Sequence, residues 1–172
     1  ERQMPNDDFL AVLDFGSQYA HLIAKRIRHL GVYTEIVPPS IDTNSLEAAK
    51  GIILSGGPAS VFAENVPAFN PEILNLPQPI LGLCYGHQLM AQHFGGCVTN
   101  TGQGEFGKAS LRQLNPSPLW KDVADNSQVW MSHQDSVAEL PQGFQVIGET
   151  ISGSLVALQH QERPLFSLQF HP

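Results

Sequence analysis

The stretch Gly82-Leu83-Cys84-Tyr85-Gly86 sets one of the chain's two cysteines between two glycines, where the apolar run PILGL gives way to the helical spacing of GHQLMAQHF. A G-x-nucleophile-x-G turn between a strand and a helix holds its central residue in a strained conformation, and the glycines leave room for the sharp bend. The side chain then projects from the carboxyl end of a sheet, the edge where open α/β folds bind ligands. A helix N-terminus behind Cys84 favours the thiolate, the nucleophilic form of the sulfur. Alone, the pattern reads about equally well as a buried structural cysteine, because free Cys is among the most buried residue types.

Two further segments favour chemistry. SGGPAS (Ser55 to Ser60) closes the preceding apolar run, so in a parallel sheet it opens on the same edge as Cys84. Its backbone N–H groups, with that of Tyr85, could face a developing oxyanion. By itself it is an ordinary Gly-Pro turn. In LQFHP a strand leads out to His171, and a cysteine and a histidine on neighbouring strand ends make a nucleophile and base pair. The remaining histidines of the seven offer no metal-ligand spacing, and no metal site is expected. His21 and His29 read as surface groups, and His87 and His93 as packed or solvated ones. Cys97, Trp120 and Trp130 read as apolar packing groups. His133 and Asp135 read as a polar loop after a strand, with substrate contact as the alternative.

Positioning these groups requires strands that alternate with helices. FLAVLDF, VYTEIVP, GIILSGG and PILGL are strand-like, whereas SQYAHLIAKRIRHLG places Ala20, Ile23, Ile27 and Leu30 on one helical face, with Gly31 to stop it. SLEAAK reads as a short helical turn. Such alternation implies crossovers and a parallel sheet. After about residue 97, KASLRQL, SQVWMSH, FQVIGET, SLVALQH and PLFSLQF read as strands joined by turns, which adds antiparallel strands to the parallel core. The expected class is α/β, an open and mostly parallel sheet flanked by helices, with antiparallel strands in the C-terminal half. Residues 1–8 are expected to lie outside the fold, and 9–172 to form one domain.

Bulk composition narrows the partners. The 172 residues carry 42% hydrophobic and 15% charged side chains, which fits a soluble globular domain. A formal charge of −7 argues against a nucleic-acid footprint. No apolar run approaches the roughly 20 residues that span a bilayer, so no membrane partner is expected. Two cysteines make no disulfide framework, which suggests a reducing, cytoplasmic setting.

In this order and at these distances, GLCYGHQLMAQHFGG, ILSGGPASV and LQFHP resemble the class I (triad-type) glutamine amidotransferases, from about Phe9 to Pro172. The resemblance implies a flavodoxin-like core and a glutaminase that works through a cysteinyl thioester. Cys84 would attack L-glutamine, His171 would move the proton, and the amides of Gly57 and Tyr85 would hold the oxyanion. Gln88 would bind the α-amino acid end, helped by backbone near Gln134 and Asp135. VLDFGSQY and VWMSHQDSV resemble one branch of the family. In it, ammonia passes to an ATP-pyrophosphatase-type synthetase domain or subunit, which adenylates xanthosine monophosphate and aminates it to GMP. No cofactor is then expected in this domain, with ATP and magnesium in the synthetase. Alternatives are the amidotransferase of anthranilate or CTP synthase, or a silent relative that uses the cysteine for binding or redox. Two departures stand out: Gln134 replaces the family's usual glycine, and the third triad residue, a Glu two positions after His171, would fall past Pro172.

Overall fold

The computed structural model describes residues 8–16, 18–57, 61–62, 64 and 66–170, with backbone alone for 101–105 and 134. Nine strands form one sheet: β1 (Phe9–Leu13), β2 (Thr34–Val37), β3 (Ala49–Leu54), β4 (Ile80–Leu83), β5 (Cys97–Gln113), β6 (Gln128–Glu139), β7 (Phe144–Thr150), β8 (Leu155–His160) and β9 (Leu165–Leu168). The α-helices among the described residues are α1 (Tyr19–His29) and α2 (Tyr85–His93). Neither is long and apolar enough to cross a membrane.

Strand order is β2-β1-β3-β4-β9-β8-β7-β5-β6. The run from β2 to β9 is parallel, and every later pairing is antiparallel. The expected fold class is therefore observed. The order reverses between β1 and β3, the switch point at which doubly wound sheets open a ligand crevice. Ala11, Leu13, Ile52, Leu54 and Ile80 pack with Met90 and Ala91 of α2 in one core cluster. Leu83, Leu168 and Phe170 belong to a second, which extends under the antiparallel strands through Leu111, Met131, Ile147 and Val156. Burial of the parallel strands on both faces explains their nearly continuous apolar sequences.

Several local expectations change. In α1 the buried residues are Ala20 and Ala24, and Ile23 is only half-buried. Small side chains let the helix lie close to the sheet, and the helix ends at His29, so Leu30 stands 81% exposed beyond the packed face. Within SLEAAK only Ser45 and Leu46 join a short 3₁₀ turn (Thr43–Leu46), and Ala49 already belongs to β3. The sequence around His133 and Asp135 is strand, not loop: His133 pairs with Glu105 and Asp135 with Asn100 inside β6. Gln134 lies within that strand, and among the described residues the non-glycine ones of positive φ are Cys84, Asp122 and Asn126. Trp120 is partly buried and donates its indole N–H to the Ile147 carbonyl at 3.1 Å. Trp130 is 55% exposed on the outer face of the β5–β6 hairpin and is not a packing group.

Candidate active site

Leu83 ends β4, Tyr85 begins α2, and Cys84 makes the turn between them with φ 53° and ψ −104°. A non-glycine residue there is strained, and it persists only where its surroundings over-determine it. The Cys84 N–H donates to the Leu168 carbonyl at 2.8 Å, and its carbonyl accepts from the Gln88 N–H at 3.2 Å. Glycines let the backbones close around the turn. A Cβ at Gly82 would lie 2.7 Å from both the Gly86 carbonyl oxygen and the Met90 sulfur, and one at Gly86 would lie 2.6 Å from the Leu54 carbonyl oxygen. The bend therefore packs α2 tightly against the ends of β3 and β4.

Cys84 is buried, and desolvation pushes its thiol up to about 12. Loss of hydration disfavours the charged sulfur, in the direction opposite to that expected of a helix N-terminus. Nucleophilic attack then requires a base. As the first residue of α2, Tyr85 has no carbonyl one turn back within the helix to accept its N–H. Gly57 approaches it from the end of β3: a Cβ there would lie 2.6 Å from Phe15 Cβ and 3.3 Å from Tyr85 Cδ2. The Phe15 and Tyr85 rings meet at 5.2 Å. Phe15 and Gly57, just past β1 and β3, thus meet Tyr85 just past β4. Pro58 to Ser60, His171 and the Gln134 side chain lie outside the described residues.

Gln88 and Asp135 also come together. The Gln88 Nε2 donates to the Asp135 backbone carbonyl at 3.0 Å and to Gln169 Oε1 at 3.0 Å. Asp135 is fully buried, and its two carboxylate oxygens have no hydrogen-bond partner among the described residues. The same Asp135 carbonyl accepts from His133 Nδ1 at 2.7 Å, which fixes the proton on that nitrogen. Next to Gln88, His87 is fully buried, with Nδ1 2.7 Å from Ser167 Oγ. Burial, reinforced by the nearby His133, pushes the His87 imidazole down to about 3 and keeps it neutral.

Ser167 and Gln169 are polar contacts that the motif reading passed over. Their signal is present in PLFSLQF, where two polar residues at alternate positions interrupt a buried apolar strand. Among the described residues, no group of three His, Cys, Asp or Glu could hold a metal.

The class I glutamine amidotransferase model matches residues 11–172, and the chain belongs to that family. Curated relatives at 45–50% identity include glutamine-hydrolyzing GMP synthases. The chain is 48% identical to the glutamine-hydrolyzing GMP synthase of Campylobacter hominis, over 98% of this chain and 33% of that protein. It is 50% identical to the glutamine-hydrolyzing GMP synthase of Thermosynechococcus vestitus, over 95% of this chain and 31% of that protein. It thus spans about a third of the length of these relatives. A solved structure of a GMP synthase subunit from Thermoplasma acidophilum superposes with a TM-score of 0.84 at 30% identity, covering 95% of this chain and 83% of that one. A Thermotoga maritima glutamine amidotransferase shares the fold, with a TM-score of 0.77 at 18% identity over 98% of this chain and 76% of that one.

Proposed function

We propose that this chain is the glutamine-hydrolysing part of a GMP synthase, in which it releases ammonia for a synthetase portion that aminates xanthosine monophosphate at the expense of ATP, with magnesium bound there as the cofactor. The observation that carries the reading is Cys84 itself: a buried cysteine at φ 53°, held by Gly82 and Gly86 at the start of α2, with Gly57 packed against Phe15 and the Tyr85 ring. Strain of this kind is kept where function requires it.

In the proposed reaction His171 takes the Cys84 proton and Sγ attacks the glutamine carboxamide carbon. The Gly57 and Tyr85 N–H groups stabilise the oxyanion of the tetrahedral intermediate. The intermediate expels ammonia, which leaves with the proton from His171, and a γ-glutamyl thioester remains. His171 then deprotonates water, which attacks the thioester carbon, and the products are glutamate and the Cys84 thiol. Gln88 holds the α-amino acid end of glutamine, with the Gln134–Asp135 backbone beside it. Residues 9–172 act as one amidotransferase domain.

The test uses the full enzyme, with its synthetase portion, as Cys84→Ala. Glutamine-dependent GMP formation should fall by at least roughly a thousandfold, whereas formation from added ammonia stays within about twofold, because covalent chemistry is removed at one of two sites. Equal loss of both activities would overturn the reading.

A further inference from the structure

Gln88 carries a primary amide on the first turn of α2, and both hydrogens of its Nε2 are engaged. One goes to the Asp135 carbonyl and the other to Gln169 Oε1, each at 3.0 Å. A carbonyl only accepts, so the Asp135 contact decides which end of the amide is nitrogen. The other end, Oε1, is buried and has no hydrogen-bond partner among the described residues. A buried acceptor without a partner requires an explanation, and a donor brought by the bound substrate would supply one.

Gln169 supplies the second hold on this amide. It lies just past β9, is 3% exposed, and is pinned by its own N–H, which donates to the Val156 carbonyl at 2.8 Å. It precedes His171 by two residues in LQFHP. Without its acceptor oxygen, Gln88 would be held by the Asp135 bond alone and could turn about it.

We propose that Gln169 is a positioning residue for substrate recognition: by accepting from Gln88 Nε2 it keeps Gln88 Oε1 turned toward the α-ammonium group of glutamine. The inference rests on the reading of Gln88 as the contact to the α-amino end of the substrate. It makes Gln169 a determinant of preference for an amino acid over a simple amide, although it does not touch the substrate itself.

The test is a double-mutant cycle in the full enzyme, assayed with the synthetase portion and its nucleotide substrates present. Gln169→Met should raise the KM for glutamine about tenfold and leave kcat within about threefold, the signature of lost ground-state binding. Gln88→Met should raise KM at least as much, and adding Gln169→Met to it should change KM by less than about twofold, because the two act as one unit. Preference for glutamine over its des-amino analogue, glutaramate, should fall in parallel in both single variants. A purely structural Gln169 would not move that ratio. A raised KM in Gln88→Met with none in Gln169→Met, or effects that multiply in the double variant, would overturn the proposal. An unchanged KM in Gln88→Met would instead overturn the underlying reading of Gln88. Should Gln169→Met melt below the assay temperature, Gln169→Glu, which keeps an acceptor oxygen, decides the matter. A KM within about threefold of the parent supports the proposal, and a tenfold rise refutes it.

Discussion

At the carboxyl edge of the parallel strands, a methyl group added at Gly57, Gly82 or Gly86 would lie 2.6 to 2.7 Å from a neighbouring atom. In the β5–β6 hairpin, Gly107 has φ +101° and nothing within 4 Å of the same construction. The first set of glycines answers to contact with other elements, whereas Gly107 answers to its own backbone. The two regions also treat large side chains differently. Phe15 and Tyr85 are buried against one another, but Phe106 and Trp130 stand 65% and 55% exposed on the hairpin. The parallel edge therefore fixes the Cys84 turn through close backbone approach. The hairpin contributes only its inner face, through the Asp135 carbonyl on Gln88.

Chemical reactivity gives the largest expected contrast. With the Cys84 thiol pushed up to about 12 by burial, its thiolate fraction rises about tenfold per pH unit below that value. Alkylation of Cys84 by iodoacetamide, followed by peptide mass mapping without substrate, should accelerate by about a hundredfold between pH 8 and pH 10. A rate that levels off below pH 8 would show that the helix N-terminus or a neighbouring cation outweighs burial.

Next comes packing. Gly86→Ala places its methyl against the Leu54 carbonyl and Cβ, and should cost about 3 kcal/mol or more in urea unfolding. Gly107→Ala meets only backbone strain and should cost about 1 kcal/mol. Similar losses at the two sites would erase the distinction drawn between the regions.

His87 gives a smaller, pH-dependent effect. Its folded pKa of about 3 lies below the 6.5 of the unfolded chain, so between those values the unfolded state binds the extra proton. Its contribution to stability is present above pH 6.5 and is lost as pH falls toward 3, by up to about 1.4 kcal/mol per pH unit. Melting curves of His87→Gln should show a shallower acid dependence by that amount. An unchanged slope would mean that His87 takes up its proton as readily in the folded protein as in the unfolded chain.

Smallest of all, Trp130→Ser should alter stability by no more than about 0.5 kcal/mol, measured by thermal melting, because over half of the side chain already faces solvent. A larger loss would place this indole in the core after all.

The parallel half was legible in the sequence because burial on both faces writes itself as short apolar runs, each closed by glycine or followed by a helix. The cysteine turn and its glycines could be read for the same reason, since their spacing is local. The antiparallel half was legible as strands but not in extent. β5 runs from Cys97 through Gly102, Gly104 and Gly107, and glycines in a strand interior read as turns. His133 and Asp135 looked like a loop because a buried polar pair inside a strand has no periodic signature. Only the fold shows that α2 supplies their partner, Gln88. Ser167 and Gln169 are the complementary case: the alternation was visible, but its target lay about eighty residues away, on α2.

The central claim is that glutamine is attacked by Cys84 and not by Cys97, which starts β5 in the other region and is half-buried. It is tested most directly by acid-quenching the full enzyme during turnover and mapping the glutamyl adduct by mass spectrometry. The account predicts an alkali-labile γ-glutamyl thioester on the Cys84 peptide, absent in Cys84→Ala and retained in Cys97→Ala. An adduct on Cys97, or continued glutamine hydrolysis by Cys84→Ala, would contradict it.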